Sequence, residues 1–454
     1  MQQLLASAAL RATFLLALGT LGFGSCTPEQ DVPTPSPGAA DFSRYVAVGD
    51  SYTAGFSEGG LTPTSQQYSY PNLLAQQLAK TGQPVTFTQP TLTSEQGTGY
   101  LRLVGYTANN VPITARVRPD RGGRPFFANA AACGGADTVF LYPRSQTTLP
   151  QNLGVPGIRL TQIETIGLGN EANLNRVDQF NPYFERLLPA GDNRTYLQAV
   201  TDVSANATFF TFFMGMGDAI PYVLSGGECG TVPSISTLNA NAKKILDRLT
   251  AGGRKGIIAL NPDLSGLPIL KQGARREVQS RFPNDTIFII AAPANSVRQA
   301  GDNDFVLPSG LARLGRAETV TMPGGGTRTA RYGLDRLNPL VRRDVLDEFQ
   351  FTRINPALKA LNTELIRLAD NVYKLPYLDL EVAFFNKIAN QISFNGVLYT
   401  TEPVRGNIYS LDMYSLTPRG NALLANEFIR VLNTTYKASI PFVDPNTLPT
   451  TARP

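Results

Sequence analysis

The 454-residue sequence contains 0 histidines. That closes every mechanism built on an imidazole trading protons near neutral pH, and every His-bearing zinc site. The best-placed nucleophile is Ser51. The apolar run Tyr45 to Gly49 (YVAVG) leads directly into Asp50-Ser51-Tyr52-Thr53-Ala54-Gly55. A serine where a buried strand meets a helix start stands at the carboxyl edge of a sheet, where helix N–H groups can meet developing negative charge. The same position also suits a helix-capping serine with no chemistry. Cys133 and Cys229 are the other nucleophilic candidates. With no imidazole to activate them, a structural disulfide or two buried thiols is expected. No metal and no cofactor is expected.

The elements that must position Ser51 can be read from the apolar pattern. Strand-length runs recur at Thr208 to Met214 (TFFTFFM), Gly256 to Leu260 (GIIAL), Thr286 to Ala292 (TIFIIAA) and Leu375 to Leu380 (LPYLDL). They are continuous rather than alternating, as parallel strands buried on both faces should be. Helical periodicity lies between them. Ser236 to Thr250 places Leu238, Ala242, Ile245, Leu246 and Leu249 on one face, and Ser69 to Lys80, Asn355 to Ala369 and Asn421 to Thr434 are similar. This alternation predicts an α/β fold, a three-layer α/β/α sandwich on a mostly parallel sheet. Residues 90–149 and 301–335 are rich in Gly, Thr, Arg and Pro without sustained periodicity, and are expected to be insertions covering the top of the sheet.

The N-terminus sets the compartment. Residues 1–25 carry one charge, Arg11, then an apolar run and small residues, the form of a signal peptide. Phe23-Gly24-Ser25-Cys26 resembles a lipoprotein box, so Cys26 is the expected lipidation site and the membrane a partner through that anchor. Thr27 after the cysteine implies an outer-membrane destination. The Pro-rich remainder of residues 26–41 should be an extended tether. The body then spans 42–437 and a C-terminal tail 438–454. Lys and Arg number 40 against 35 acidic residues, with no basic run, so nothing argues for nucleic acid.

Four segments together resemble the SGNH/GDSL hydrolase superfamily. Gly49-Asp50-Ser51-Tyr52 is similar to its first block, with Tyr52 where Leu is usual. Asn152-Leu153-Gly154-Val155-Pro156-Gly157 resembles the second, and Phe212 to Asp218 (FFMGMGD) the third. Asp412 to Gly420 (DMYSLTPRG) is similar to the last block, an Asp-x-x-His turn before the final helix. Ser69-Tyr70-Pro71-Asn72-Leu73-Leu74 and Asn181-Pro182-Tyr183-Phe184 look like the large GDSL-like lipoproteins of Bacteroidetes-type bacteria. The resemblance implies a flavodoxin-like SGNH fold, Ser51 as nucleophile, Asp412 as triad acid, and an oxyanion hole from Ser51, Gly157 and the residue at position 217.

Two parts of that machinery are replaced. Ser415 stands where the resemblance implies the histidine, and Gly217 stands where it implies an asparagine donor. Loss of one oxyanion donor costs about 10²–10³ in turnover, and loss of the triad base on the order of 10⁶. The expectation is a catalytically impaired esterase-fold lipoprotein binding an acyl-ester, glycan or protein ligand. The rivals are an active serine ester hydrolase with an unrecognised base and a structural envelope protein. Gly301-Asp302-Asn303-Asp304 is a literal match to the Gly-x-Asn-Asp that ends the third block, but it follows no buried strand directly and is expected to be a solvated turn.

Overall fold

The computed structural model describes residues 34–451, apart from 107–111, 125, 130–136, 145–147, 177, 323, 390 and 403. The signal segment and Cys26 lie outside the described residues.

Five strands form one sheet: β1 (Tyr45–Gly49), β2 (Asn152–Gly154), β3 (Phe209–Phe213), β4 (Lys255–Ala259) and β5 (Tyr377–Leu378). All pair in parallel, in the spatial order β5-β4-β3-β1-β2. The order reverses between β1 and β3, which makes that boundary the topological switch point of a doubly wound sheet. Alternate residues of each strand serve opposite cores. Tyr45, Ala47, Phe209 and Phe213 enter one, while Val46, Val48, Phe210 and Phe212 enter the other. Both faces are therefore covered, which explains why these strands read as unbroken apolar runs. Phe212 is fully buried, and its truncation to alanine should cost about 3–5 kcal/mol.

Helices cover the sheet, four of them following the predicted periodicity with shifted ends (Tyr70–Ala79, Ile235–Thr250, Glu348–Arg367 and Pro418–Thr435). They are α1 (Ser51–Ala54), α2 (Tyr70–Ala79), α3 (Tyr196–Ser204), α4 (Met216–Leu224), α5 (Ile235–Thr250), α6 (Glu348–Arg367) and α7 (Pro418–Thr435). α2 and α7 pack together on one face, where the Tyr70 and Phe428 rings stack at 4.7 Å. α3 and α5 supply the other face with Ala199, Val200, Ile245 and Leu246. α6 starts seven residues before the expected Asn355 because Asp347 caps it, accepting the Gln350 N–H at 3.0 Å. No described helix is long and apolar enough to cross a membrane.

Several expectations need correction. The run Thr286 to Ala292 is not a central strand: Phe288–Ala291 pairs antiparallel with Ser296–Gln299 in a separate hairpin. A short apolar run can be buried in any core, and this one enters a satellite core with Val278, Val306, Tyr332 and Leu340. Residues 301–335 are accordingly not irregular. Phe305–Val306 pairs with Val345–Leu346, and Ala317–Thr321 with Thr327–Arg331. Asp304 is not solvated either. It is 1 % exposed and accepts the Arg298 guanidinium at 2.5 and 2.9 Å and the Glu348 N–H at 2.8 Å.

The described part of the Pro-rich tether is packed rather than free. The Ala39 N–H donates to the Tyr436 carbonyl at 2.7 Å, and Ala40 is buried. The tail closes over the same region, with Ile440 and Val443 in the core. Residues 90–149 contain a hairpin of Tyr100–Tyr106 with Pro112–Val117. Arg124 and Arg144 both bind the fully buried Glu185, fastening this insertion to the body.

Candidate functional site

β1 and β3 both end at the switch point, and Asp50 joins them. Its Oδ2 accepts the Gly217 N–H at 2.9 Å across the sheet edge. The N–H groups of Tyr52 and Gly215 also lean toward the carboxylate, while Oδ1 is buried and makes no well-formed hydrogen bond. Burial is the main cause that pushes the Asp50 pKa up to about 7, and the neighbouring Asp218 adds to it. Asp218 is itself raised to about 6 by burial. It holds the turn after β2, accepting the N–H of Leu160 at 2.7 Å and the Thr161 hydroxyl at 3.0 Å.

Ser51 opens α1 and is partly buried. Its hydroxyl has no hydrogen-bond partner among the described residues, lysine and carboxylate included. The α1 segment is tied to the Asp412 turn by its neighbour: the Tyr52 hydroxyl donates to the Tyr414 carbonyl at 2.6 Å. Tyr52 also stacks on Phe213, and Phe56 on Tyr414.

The spacing of Asp412 and Ser415 does what the resemblance implies geometrically, but with a hydroxyl in place of an imidazole. Ser415 donates its hydroxyl to Asp412 Oδ2 at 2.5 Å and its N–H to Oδ1 at 2.8 Å. Asp412 also accepts the N–H of Gly59 at 2.9 Å, the N–H of Tyr414 at 3.1 Å and the Ser410 hydroxyl at 3.0 Å. Ser410, which the sequence reading missed, further accepts the Glu58 N–H at 2.8 Å. Asp412 is thus enclosed by donors that fix a turn. Ser415 is 1 % exposed, so its hydroxyl is enclosed together with the carboxylate it serves.

The two glycines that the resemblance assigns to an oxyanion hole differ. Gly157 is exposed with φ +70°, and a Cβ there would meet nothing. Its N–H makes no hydrogen bond among the described residues, so it remains an open donor. Gly217 is the opposite. A Cβ on it would lie 1.9 Å from the Ile158 carbonyl oxygen. The expected vacancy of an asparagine side chain is therefore a close backbone approach that only glycine allows.

Beside this site lies a cleft of about 520 Å³. Phe56, Leu101, Ile113, Leu224, Met413 and Tyr414 give it apolar walls, Arg116 and Arg316 reach it from the two insertions, and Ser51 does not line it. Ile113 and Leu224 are 43 % exposed each, large apolar side chains left open to a ligand. Arg316 is exposed and forms no ion pair among the described residues.

Cys229 is disulfide-bonded. Cys26 and Cys133 lie outside the described residues. No group of three or more His, Cys, Asp or Glu among the described residues is arranged to hold a metal ion. No known family model matches the chain, and no curated protein matches it.

Proposed function

We propose that this chain is an exported, lipid-anchored protein built on a serine-esterase-like α/β fold, and that it binds an amphipathic ligand without hydrolysing it. The observation that carries the reading is the state of Asp412. Both of its oxygens are taken by Ser415, Ser410 and backbone N–H groups, so it serves a turn instead of orienting a base. With no histidine and no partner on its hydroxyl, Ser51 has no group to take its proton, and a neutral hydroxyl is a weak nucleophile.

The ligand reading rests on the adjacent cleft. Its apolar walls suit an alkyl or acyl group, and Arg116 and Arg316 suit an anionic head. A second reading, an active ester hydrolase, is favoured by one observation. Asp50, next to Ser51, has a pKa near 7, the range of a general base. Against it, one oxygen of Asp50 is committed to Gly217 and neither bonds the Ser51 hydroxyl.

A fluorophosphonate probe separates the two readings. No labelling of the wild-type protein is expected across pH 6 to about 9, the span where a base of this pKa would be ionised. Labelling that disappears in Ser51→Ala would establish the hydrolase and end the binding-only reading. The anchor is tested by Cys26→Ala, which should move the protein from the membrane fraction to the soluble one. Unchanged fractionation would remove the lipoprotein part of the proposal.

A further inference from the structure

The same sheet edge carries a second cleft, of about 590 Å³, where β4 and β5 end. It shares no lining residue with the first. Parallel sheets bind ligands at this edge, but location alone does not make a site. The hydrogen-bonding state of the side chains does.

Asn261, just past β4, is 1 % exposed. Its N–H donates to Asn362 Oδ1 at 2.8 Å, and its Nδ2 donates to the Met214 carbonyl at 3.0 Å. Its Oδ1 is buried with no partner at all. A lone buried acceptor of this kind is costly unless something supplies a donor. Two more acceptors stand nearby, just past β5. Glu381 uses Oε2 to accept the Asp263 N–H at 2.9 Å, and Asp379 uses Oδ1 to accept the Val382 N–H at 3.2 Å. The second oxygen of each takes no hydrogen bond among the described residues.

Donors are open as well. Lys359 gives one N–H to Asp263 at 2.6 Å, and Lys271, exposed, is in no ion pair among the described residues. Phe385 and Ile366 supply apolar surface in the same cleft. Three carboxylates therefore face two ammonium groups, and burial with Asp263 and Asp379 nearby raises the Glu381 pKa. The balance is close to neutral. It disfavours an anion, which would meet the carboxylates, and a strong cation, which would meet the lysines.

A hydroxyl group donates and accepts at the same atom, which suits a cleft that offers both carboxylates and ammonium groups. A sugar ring arrays them around its rim and leaves an apolar C–H face. We infer that this cleft binds a neutral pyranose, with Asn261, Asp379 and Glu381 accepting from its hydroxyls, the lysines donating to them, and Phe385 and Ile366 beneath the ring.

Saturation-transfer difference NMR on the full chain tests it, with D-glucose, D-galactose and N-acetyl-D-glucosamine as probes. At least one should receive transfer, strongest at the protons of one ring face. Glu381→Gln keeps an acceptor for the Asp263 N–H but removes the charge, and should weaken binding about tenfold. Lys271→Ala, on an exposed side chain, should weaken it severalfold without touching the fold, as circular dichroism would verify. Absence of transfer from all three sugars overturns the inference. So does transfer that survives both variants, which places the sugar elsewhere. Transfer from n-butylammonium or acetate in place of the sugars overturns the neutral-polyol class. None of these outcomes bears on the fluorophosphonate result, because that probe reads Ser51 and Ser51 does not line this cleft.

Discussion

One edge of one sheet is furnished twice, and the two halves leave their polar groups in different states. At β1 and β3, Asp50 clips two strand ends together, Asp218 holds the next turn, and Asp412 is wrapped by donors. At β4 and β5, Asn261 Oδ1 is buried without a partner, and Asp379 and Glu381 each leave one oxygen without a hydrogen bond among the described residues; all three residues line a cleft. Strand direction is the same in both places. Carboxylates hold backbone N–H groups in both halves, and Asp50 also keeps one oxygen unbonded, but Asp412, in the half that carries the chemistry-like motifs, has both oxygens taken. A side chain of the right type in the right order builds a site only if its hydrogen-bonding capacity is not already used within the protein.

The sharpest way to break that contrast is to put side chain back at the switch point. Gly217→Asn replaces the residue that the resemblance marks as a lost donor. Its Cβ would sit 1.9 Å from the Ile158 oxygen, and the Gly217 N–H holds the buried Asp50 at 2.9 Å. Overpacking plus a disturbed buried carboxylate should destabilise the fold by about 4 kcal/mol. Urea denaturation reads this directly, and a variant as stable as wild type would mean the turn can open to hold an asparagine.

The next effect belongs to pH. Asp50 has a folded pKa of about 7 against an ordinary aspartate value of 3.8. The folded state therefore holds a proton that the unfolded chain has already released. Stability is full below about pH 4 and falls as pH rises toward the folded pKa. Asp218, raised to about 6, acts in the same direction. Between pH 5 and 8 wild type should lose about 3 kcal/mol relative to Asp50→Asn. Equal slopes for the two proteins would show that Asp50 is ionised throughout, and so available at the site.

How much of this could be read without the fold depends on sequence separation. The strands β1, β3 and β4 were legible because burial on both faces leaves a continuous apolar run. β2 was legible only as a motif, since three residues carry no period. Thr286 to Ala292 misled because its composition suits a satellite core as well as a central one. The Asp412–Ser415 bond follows from local spacing. The Asp50–Gly217 clip joins residues 167 apart, and no local pattern marks it. Asn261, Asn362 and Glu381 likewise come from three separate segments, so their cleft appears only once β4, β5 and α6 are assembled.

A smaller effect should come from the wrapped turn itself. Asp412→Ala leaves the hydroxyls of Ser410 and Ser415, 2 % and 1 % exposed, without their shared carboxylate. They can still bond each other, at 2.9 Å. The cost should be about 2 kcal/mol, seen as a lower thermal midpoint. If Asp412 were a catalytic acid instead, its removal would alter a pH–rate profile and leave the midpoint nearly unchanged.

The least expected change is at Ser51, and it completes the contrast from the other side. Its hydroxyl is partly exposed and bonded to nothing among the described residues, so Ser51→Ala removes no interaction from the folded state. Surface-like substitutions of this kind fall within about 0.5 kcal/mol. The neighbouring residues bound this sharply, because Tyr52 and Asp50 hold the same turn through the Tyr414 carbonyl and the Gly217 N–H. Conversion of either should be felt in the denaturation midpoint, and conversion of Ser51 should not. A loss above about 1 kcal/mol in Ser51→Ala would reveal a bond to the hydroxyl that forms in solution. That bond would be the first sign of a group able to activate it.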